Sequence, residues 1–213
     1  MRPAALMQSL GWVGPDVWWA HSIWVNADEI KMMAETGTGV AHCPSSNMRL
    51  GSGICQVREM LDAGVKVGIG VDGSASNDSS HLLGETRNAL LLQRVTKGAA
   101  ALSVNEAFRL ATRGSASVLG RDELGVLAPG KAADVIGVRL DTLGLAGAAV
   151  HDPLGALLLC SVQGVDFSVI NGQVVVREGE LLTLDLQEHI ARHNEIAHRI
   201  VEKHPEPERF KLV

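Results

Sequence analysis

Asp72 follows the apolar run from Lys66 to Val71 and is flanked by Gly70 and Gly73. A carboxylate at the end of a buried strand, beside glycines that let backbone and ligand approach closely, suits a hard or borderline metal ion or a proton transfer. The same residue suits a loop-capping Asx turn, and spacing alone leaves both open. His21 closes the run Val17 to His21 and reads either as an active-site acid or hydrogen-bond donor or as a satisfied core histidine. His42 precedes Cys43-Pro44. An N/S metal pair is conceivable there, but adjacent ligands are uncommon, and a structural histidine is the simpler reading. His81, in the first turn after the Asp72 loop, reads as a surface residue at a helix start. His189 and His193 have i,i+4 spacing, yet no Glu follows His189 as H-E-x-x-H requires, so a solvent-facing or interface edge is expected. Glu195, Glu202, Glu206 and Glu208 read as a solvated acidic face. Ser74, Ser76 and Ser79 lack the G-x-S-x-G elbow, and the glycine-rich stretches match neither G-x-G-x-x-G nor the P-loop.

The elements that must position these residues follow a repeating order. Strand starts near residues 17, 39 and 67 lie 22 and 28 residues apart, the spacing of strand-helix units that feed a parallel sheet. Each unit places its polar residues at the carboxyl end of its strand. These are His21, then His42 with Ser45, Ser46 and Asn47, then Asp72 with Ser74, Ser76, Asn77 and Asp78. In parallel α/β folds that edge is where sites are built. Asn26 with Glu29 predicts a capped helix through Met33, residues 43–53 a loop, and Ile54 to Ala63 a helix stopped at Gly64. Ser79 to Val95 predicts a long helix with Leu82, Leu83, Thr86, Ala89 and Leu90 on one face. Ser103 with Glu106 is a second capping box, opening a helix to about Thr112 with a short continuation from Gly114 to Leu119. After Gly120 the pattern turns β-rich. Asp134 to Val138, Asp166 to Ile170 and Gln173 to Val176 are strands, the last two joined by the hairpin signal Asn171-Gly172. Asp185 to His204 closes as a helix ended by Pro205 and Pro207.

Composition narrows the function classes. The 213 residues are 46% hydrophobic and 20% charged, ordinary globular usage. Nineteen Lys and Arg against twenty-four Asp and Glu give −5 with no basic run, so a nucleic-acid polymer is not an expected partner. Four tryptophans, three phenylalanines and no tyrosine leave few stacking platforms, and all four tryptophans fall between residues 12 and 24. Cys43, Cys55 and Cys160 form no C-x-x-C and no disulfide framework, which suits a reducing cytoplasm and structural thiols. No apolar run approaches the roughly 20 residues of a membrane span, and the first residues lack a signal-peptide pattern, so neither a membrane nor export is expected.

Three runs in their order, WWAH at 18–21, VAHCPSSNMRLGSG at 40–53 and GVDGSASND at 70–78, resemble the metal-dependent amidohydrolase superfamily. GVLAPGKAADVI at 125–136 and VINGQVVVREGEL at 169–181 resemble the small β domain of that group. The branch most like this chain is the one of aminohydrolases and deaminases. The resemblance implies an α/β fold: strands six to eight of a (β/α)₈ barrel over residues 1–120, part of a small β-rich domain over 121–184, and a carboxyl-terminal helix and tail over 185–213. It implies that Asp72 is a ligand of a zinc ion, or of iron(II), and takes part in proton transfer. His21 is implied as the active-site histidine after strand six. It further implies a small purine-like substrate, with 8-oxoguanine the first expectation and guanine, S-adenosylhomocysteine or triazine types the alternatives, and a homo-oligomer in the complete form. The H-x-H and H-x-x-E that supply the other ligands in that group do not occur here. A barrel needs about 250 residues. The resemblance is therefore to the carboxyl-terminal half of a longer enzyme, and the isolated chain is expected to be inactive. A noncatalytic assembly module is the competing expectation.

Overall fold

The computed structural model describes residues 1–203. The described residues divide into two compact units, Met1–Asp134 with Arg139–Gln163, and Val135–Val138 with residues 164–203.

The first unit opens with α1 (Pro3–Ser9) and then alternates strands and helices: β1 (Trp18–Ala20), α2 (Ala27–Thr36), β2 (Gly39–His42), α3 (Pro44–Arg49), α4 (Val57–Asp62), β3 (Val67–Ile69) and α5 (Leu82–Lys97). Next come α6 (Val104–Arg109), a π-helical turn at Leu110–Gly114 and α7 (Ser115–Val118). The unit also contains α8 (Ala148–His151) and α9 (Pro153–Leu159).

The strands form a parallel sheet in the order β1-β2-β3, with Val40 opposite Trp19 and Val67, and His42 opposite Ile69. Side chains alternate across a strand, so Val40, His42, Val67 and Ile69 share one face. Val40, Val67 and Ile69 pack there with Ile30 and Met33 of α2, Met60 of α4, and Ala89 and Leu90 of α5. The opposite face carries Gly39, Ala41 and Gly68. A Cβ on Gly68 would stand 2.7 Å from the Ser115 Cα, so α7 approaches the sheet at a distance only glycine permits. The Ser115 hydroxyl accepts the Ile69 N–H at 3.0 Å, fastening α7 to β3.

Both predicted capping boxes form. Asn26 Oδ1 accepts the Glu29 N–H at 2.9 Å and Glu29 Oε2 accepts the Asn26 N–H at 2.8 Å. Ser103 and Glu106 repeat the exchange, and these bonds with the Arg58 guanidinium hold the Glu106 carboxyl down at about 2. Other boundaries differ from the sequence expectation. α3 lies inside the expected loop at 43–53, started by Pro44 at its first turn. α4 begins at Val57 rather than Ile54, and α5 begins at Leu82 rather than Ser79. The reason for the second shift is His81. Its Nδ1 accepts the Gly84 N–H at 2.8 Å as the helix cap, and its Nε2 lies 2.9 Å from the Val162 carbonyl. His81 is thus a fastener between segments rather than a surface residue. On α5 the expected apolar face is displaced as well, because Leu82 is exposed while Glu85 and Gln93 are buried with Thr86, Ala89 and Leu90. The helix expected to reach Thr112 ends at Arg109 and passes through the π-helical turn.

The second unit is an antiparallel sheet in the order β4 (Val135–Gly137), β5 (Phe167–Ile170), β6 (Gln173–Arg177) and β7 (Glu180–Leu181), followed by α10 (Leu186–Lys203). Asn171 and Gly172 take φ of 49° and 76°, the paired left-handed turn that the hairpin signal predicts. Asp185 Oδ1 accepts the N–H groups of Gln187 and Glu188 at 3.0 Å each, capping α10. The expected helix end at His204, the stop at Pro205 and Pro207, and Glu206 and Glu208 lie outside the described residues. His189 and His193 are exposed, as expected. Cys43, Cys55 and Cys160 are free thiols. Among the described residues no helix is long and apolar enough to cross a membrane.

Candidate active site

The carboxyl ends of β1, β2 and β3 bring three loops together. After β1 the chain turns within three residues: the Ser22 N–H reaches the Ala20 carbonyl at 2.7 Å, with His21 at the centre at φ 63°. The His21 N–H bonds the Ala41 carbonyl of β2 at 2.9 Å, which fixes where the imidazole leaves the sheet. After β3, Asp72 takes φ 65°. A left-handed backbone at a residue other than glycine costs roughly 1 to 3 kcal/mol and persists where the surroundings enforce it.

These two turns point His21 and Asp72 at one another. His21 Nε2 lies 3.5 Å from Asp72 Oδ2, and the two side chains are 37% and 32% exposed. On the far side of the ring, His21 Nδ1 lies 2.8 Å from Asn47 Oδ1, so the amide orients the imidazole. With Nδ1 donating to Asn47, Nε2 is a lone pair in the neutral ring and a donor in the imidazolium. Asp72 Oδ2 accepts hydroxyls from Ser46 at 2.6 Å and Ser76 at 3.1 Å, and Oδ1 accepts the Gly73 N–H at 2.8 Å. The Ser46 hydroxyl, then the Gly73 amide, then Ser76 and the His21 charge hold the carboxyl below its ordinary value. The result is an ionised carboxylate, about a third exposed, paired with an oriented imidazole.

Sequence reasoning named His21 and Asp72, and they meet. Ser46, Asn47 and Ser76 were named only as strand-end polar residues, and they prove to be the groups that hold the pair. Glu85 was not foreseen, because an amphipathic helix pattern gives no reason to bury a carboxylate. His42 and Cys43 do not join the pair as metal ligands. His42 is fully buried, neither ring nitrogen has a hydrogen-bonding partner, and burial, then the neighbouring His21 charge, pushes its pKa down to about 4. Cys43 is buried, and desolvation with the Asp72 and Glu85 charges pushes its thiol up to about 11. A thiol so raised is protonated near neutral pH and is not a thiolate ligand.

Residues 1–181 match the amidohydrolase family. The chain belongs to that family. This amidohydrolase chain is 48% identical over 201 residues to the 8-oxoguanine deaminase of Pseudomonas aeruginosa, covering 94% of this chain and 44% of that protein. It is 39% identical to the atrazine chlorohydrolase of Arthrobacter aurescens TC1 complexed with zinc, with a TM-score of 0.87 over 92% of this chain and 44% of that one. With an adenosine deaminase from Xanthomonas campestris with bound zinc, the identity is 32% and the TM-score 0.89, over 94% of this chain and 46% of that one. The chain therefore spans less than half the length of these relatives. Among its described residues no group of three His, Cys, Asp or Glu side chains converges to hold a metal ion. Asp72 and His21 offer one carboxylate and one imidazole at one point, so these residues do not make a metal site by themselves.

Proposed function

We propose that the chain is the part of a hydrolytic deaminase barrel that carries the proton-transferring carboxylate and the oxyanion-binding histidine, and that the whole acts on a purine-like ring, 8-oxoguanine first. In this reading β1, β2 and β3 are barrel strands six, seven and eight, and the β-rich segment 121–184 is part of a small accompanying domain. The observation that carries it is the 48% identity to 8-oxoguanine deaminase across 94% of the chain, which includes the loops that seat His21 and Asp72. Guanine, S-adenosylhomocysteine and triazine rings present similar amidine-like edges and are the alternatives.

The reaction replaces an exocyclic amine by oxygen. A water oxygen bonds to the ring carbon, the carbon–nitrogen bond breaks, and ammonia leaves. Asp72 takes a proton from the attacking water and passes it toward the ring nitrogen or the departing amine. Its ionised state at neutral pH fits that duty, and Ser46 and Ser76 keep the accepting oxygen in place. His21, oriented by Asn47, directs Nε2 toward the oxygen on which negative charge develops. Asp72 is also proposed as one ligand of a zinc or iron(II) ion whose other ligands these 213 residues do not hold.

Fragment complementation tests the reading. The purified chain with zinc, alone, is expected to release no ammonia from 8-oxoguanine. Mixed with the amino-terminal half of the Pseudomonas aeruginosa relative, it is expected to assemble and deaminate. Ammonia release by the chain alone with stoichiometric zinc sinks the partial-barrel reading. An assembled barrel silent toward purine, pterin and triazine amines sinks the deaminase reading and leaves the assembly module.

A further inference from the structure

The first turn of α5 lies behind the loops that carry the site. Glu85, on the buried face of that helix, is 1% exposed. Its Oε2 accepts the Ser45 backbone N–H at 2.9 Å, and its Oε1 accepts the Asn77 side-chain amide at 3.1 Å. The two donors belong to different loops. Ser45 is followed by Ser46, which donates to Asp72, and by Asn47, which orients His21. Asn77 also donates to the Val71 carbonyl at 2.8 Å, immediately before Asp72, and its Oδ1 accepts from Ser79 at 3.0 Å. Asn88, three residues beyond Glu85 on α5, gives Ser45 a second tie by donating to its Oγ at 2.9 Å.

We propose that Glu85 is the positioning residue of this site, clamping the loop after β2 and the loop after β3 to one buried carboxylate so that His21 and Asp72 stay in register. The inference rests on the reading of His21 and Asp72 as the reacting pair. The chemistry selects glutamate. Both donors need an acceptor, and only a carboxylate presents two oxygens with no hydrogen of its own. Glutamine would turn an NH₂ group onto one donor, and aspartate is one methylene shorter. A residue kept for packing alone would be apolar, as Leu90 is on the same face, because an isolated buried carboxylate costs several kcal/mol.

Amide hydrogen exchange on the full chain tests this without requiring turnover. In Glu85→Gln, the protected amides of Ser45, Asn47, Gly73, Ser76 and Asn77 are expected to exchange about 10- to 100-fold faster, the loss of a hydrogen bond to a charged group. The sheet amides of Val40 and Gly70 are expected to keep their rates. Unchanged loop rates overturn the proposal. So does uniform acceleration across the first unit, which would make Glu85 a stability element only. Should Glu85→Gln fail to fold, Asn77→Ser cuts one arm of the clamp. Acceleration confined to residues 72–77 then supports the proposal, and no acceleration or a uniform one overturns it. Turnover of Asp72→Asn in the complemented barrel decides the functional reading separately, so the two can fail independently.

Discussion

Two regions of the parallel sheet answer to different demands. At the carboxyl ends, His21 and Asp72 hold left-handed backbone, and two hydroxyls and an amide crowd one carboxylate that is still a third exposed. At the start and middle of β3, the segment Leu110–Val118 packs so closely on Val67 and Gly68 that neither Gly114 nor Gly68 has room for a side chain. Packing explains the second arrangement completely. It does not explain the first, where both residues hold left-handed backbone, which opposes stability, around a carboxylate left open to a ligand. Residues at the carboxyl end should therefore control turnover with little effect on folding, and residues where Leu110–Val118 packs on β3 the reverse.

The largest effect expected from breaking the carboxyl end is that of Asp72→Asn. In the complemented barrel it should lower deamination about 10³- to 10⁴-fold, because an amide keeps the shape but takes no proton at neutral pH. Unfolding of the chain itself should be little changed. Turnover and metal content are to be measured together, and retained turnover with metal bound removes Asp72 from its role. His21→Ala comes next, with kcat down about 10²- to 10³-fold, the loss of one oxyanion donor. Metal content should be unaltered; if elemental analysis finds the metal gone, His21 is a ligand instead.

The same contrast governs what the sequence could reveal. The parallel order of β1, β2 and β3 was legible because period, spacing and capping boxes agree over each unit, and His21 and Asp72 were legible because they end apolar runs. Asn171-Gly172 announced its hairpin through the backbone those two residues adopt readily. α3 was not legible, because six residues starting at Pro44 bury only Pro44, Ser46 and Asn47 and show no apolar period. His81 was missed because a capping histidine depends on a partner 81 residues away, the Val162 carbonyl. Glu85 was missed for a related reason: its two donors come from loops at residues 45 and 77, and local pattern reads a carboxylate on a helix as solvent-facing.

His42 sharpens the comparison, since it ends β2 as His21 follows β1 yet lies on the packed face. The unfolded chain takes up a proton there near 6.5, while the folded ring stays neutral down to about 4. Between those values the unfolded state binds more protons, so stability present in full above about pH 6.5 falls as the pH drops toward 4. The loss is up to about 3 kcal/mol. Urea unfolding of the chain at pH 7 and pH 4.5 should show this drop in the native chain and a smaller one in His42→Leu. Equal drops would mean that His42 is not the group responsible.

Gly68→Ala is the smallest expected effect and tests the packing of Leu110–Val118 on β3 alone. The new methyl would stand 2.7 Å from the Ser115 Cα, closer than real Cβ contacts come, so α7 must move. Backbone yields less readily than a flexible side chain, and overpacking of this kind costs about 1 to 3 kcal/mol. The Ile69 N–H bond to Ser115 at 3.0 Å should weaken with it, exposing β3 at that point. The His21 and Asp72 contacts lie past the carboxyl ends of the strands and share no partner with Gly68, whose neighbour is Ser115, so the assembled barrel should keep its kcat within about twofold while its unfolding midpoint falls. A loss of kcat comparable to that of His21→Ala, with stability unchanged, would mean that the two regions are coupled through the strands and that the division drawn between them is wrong.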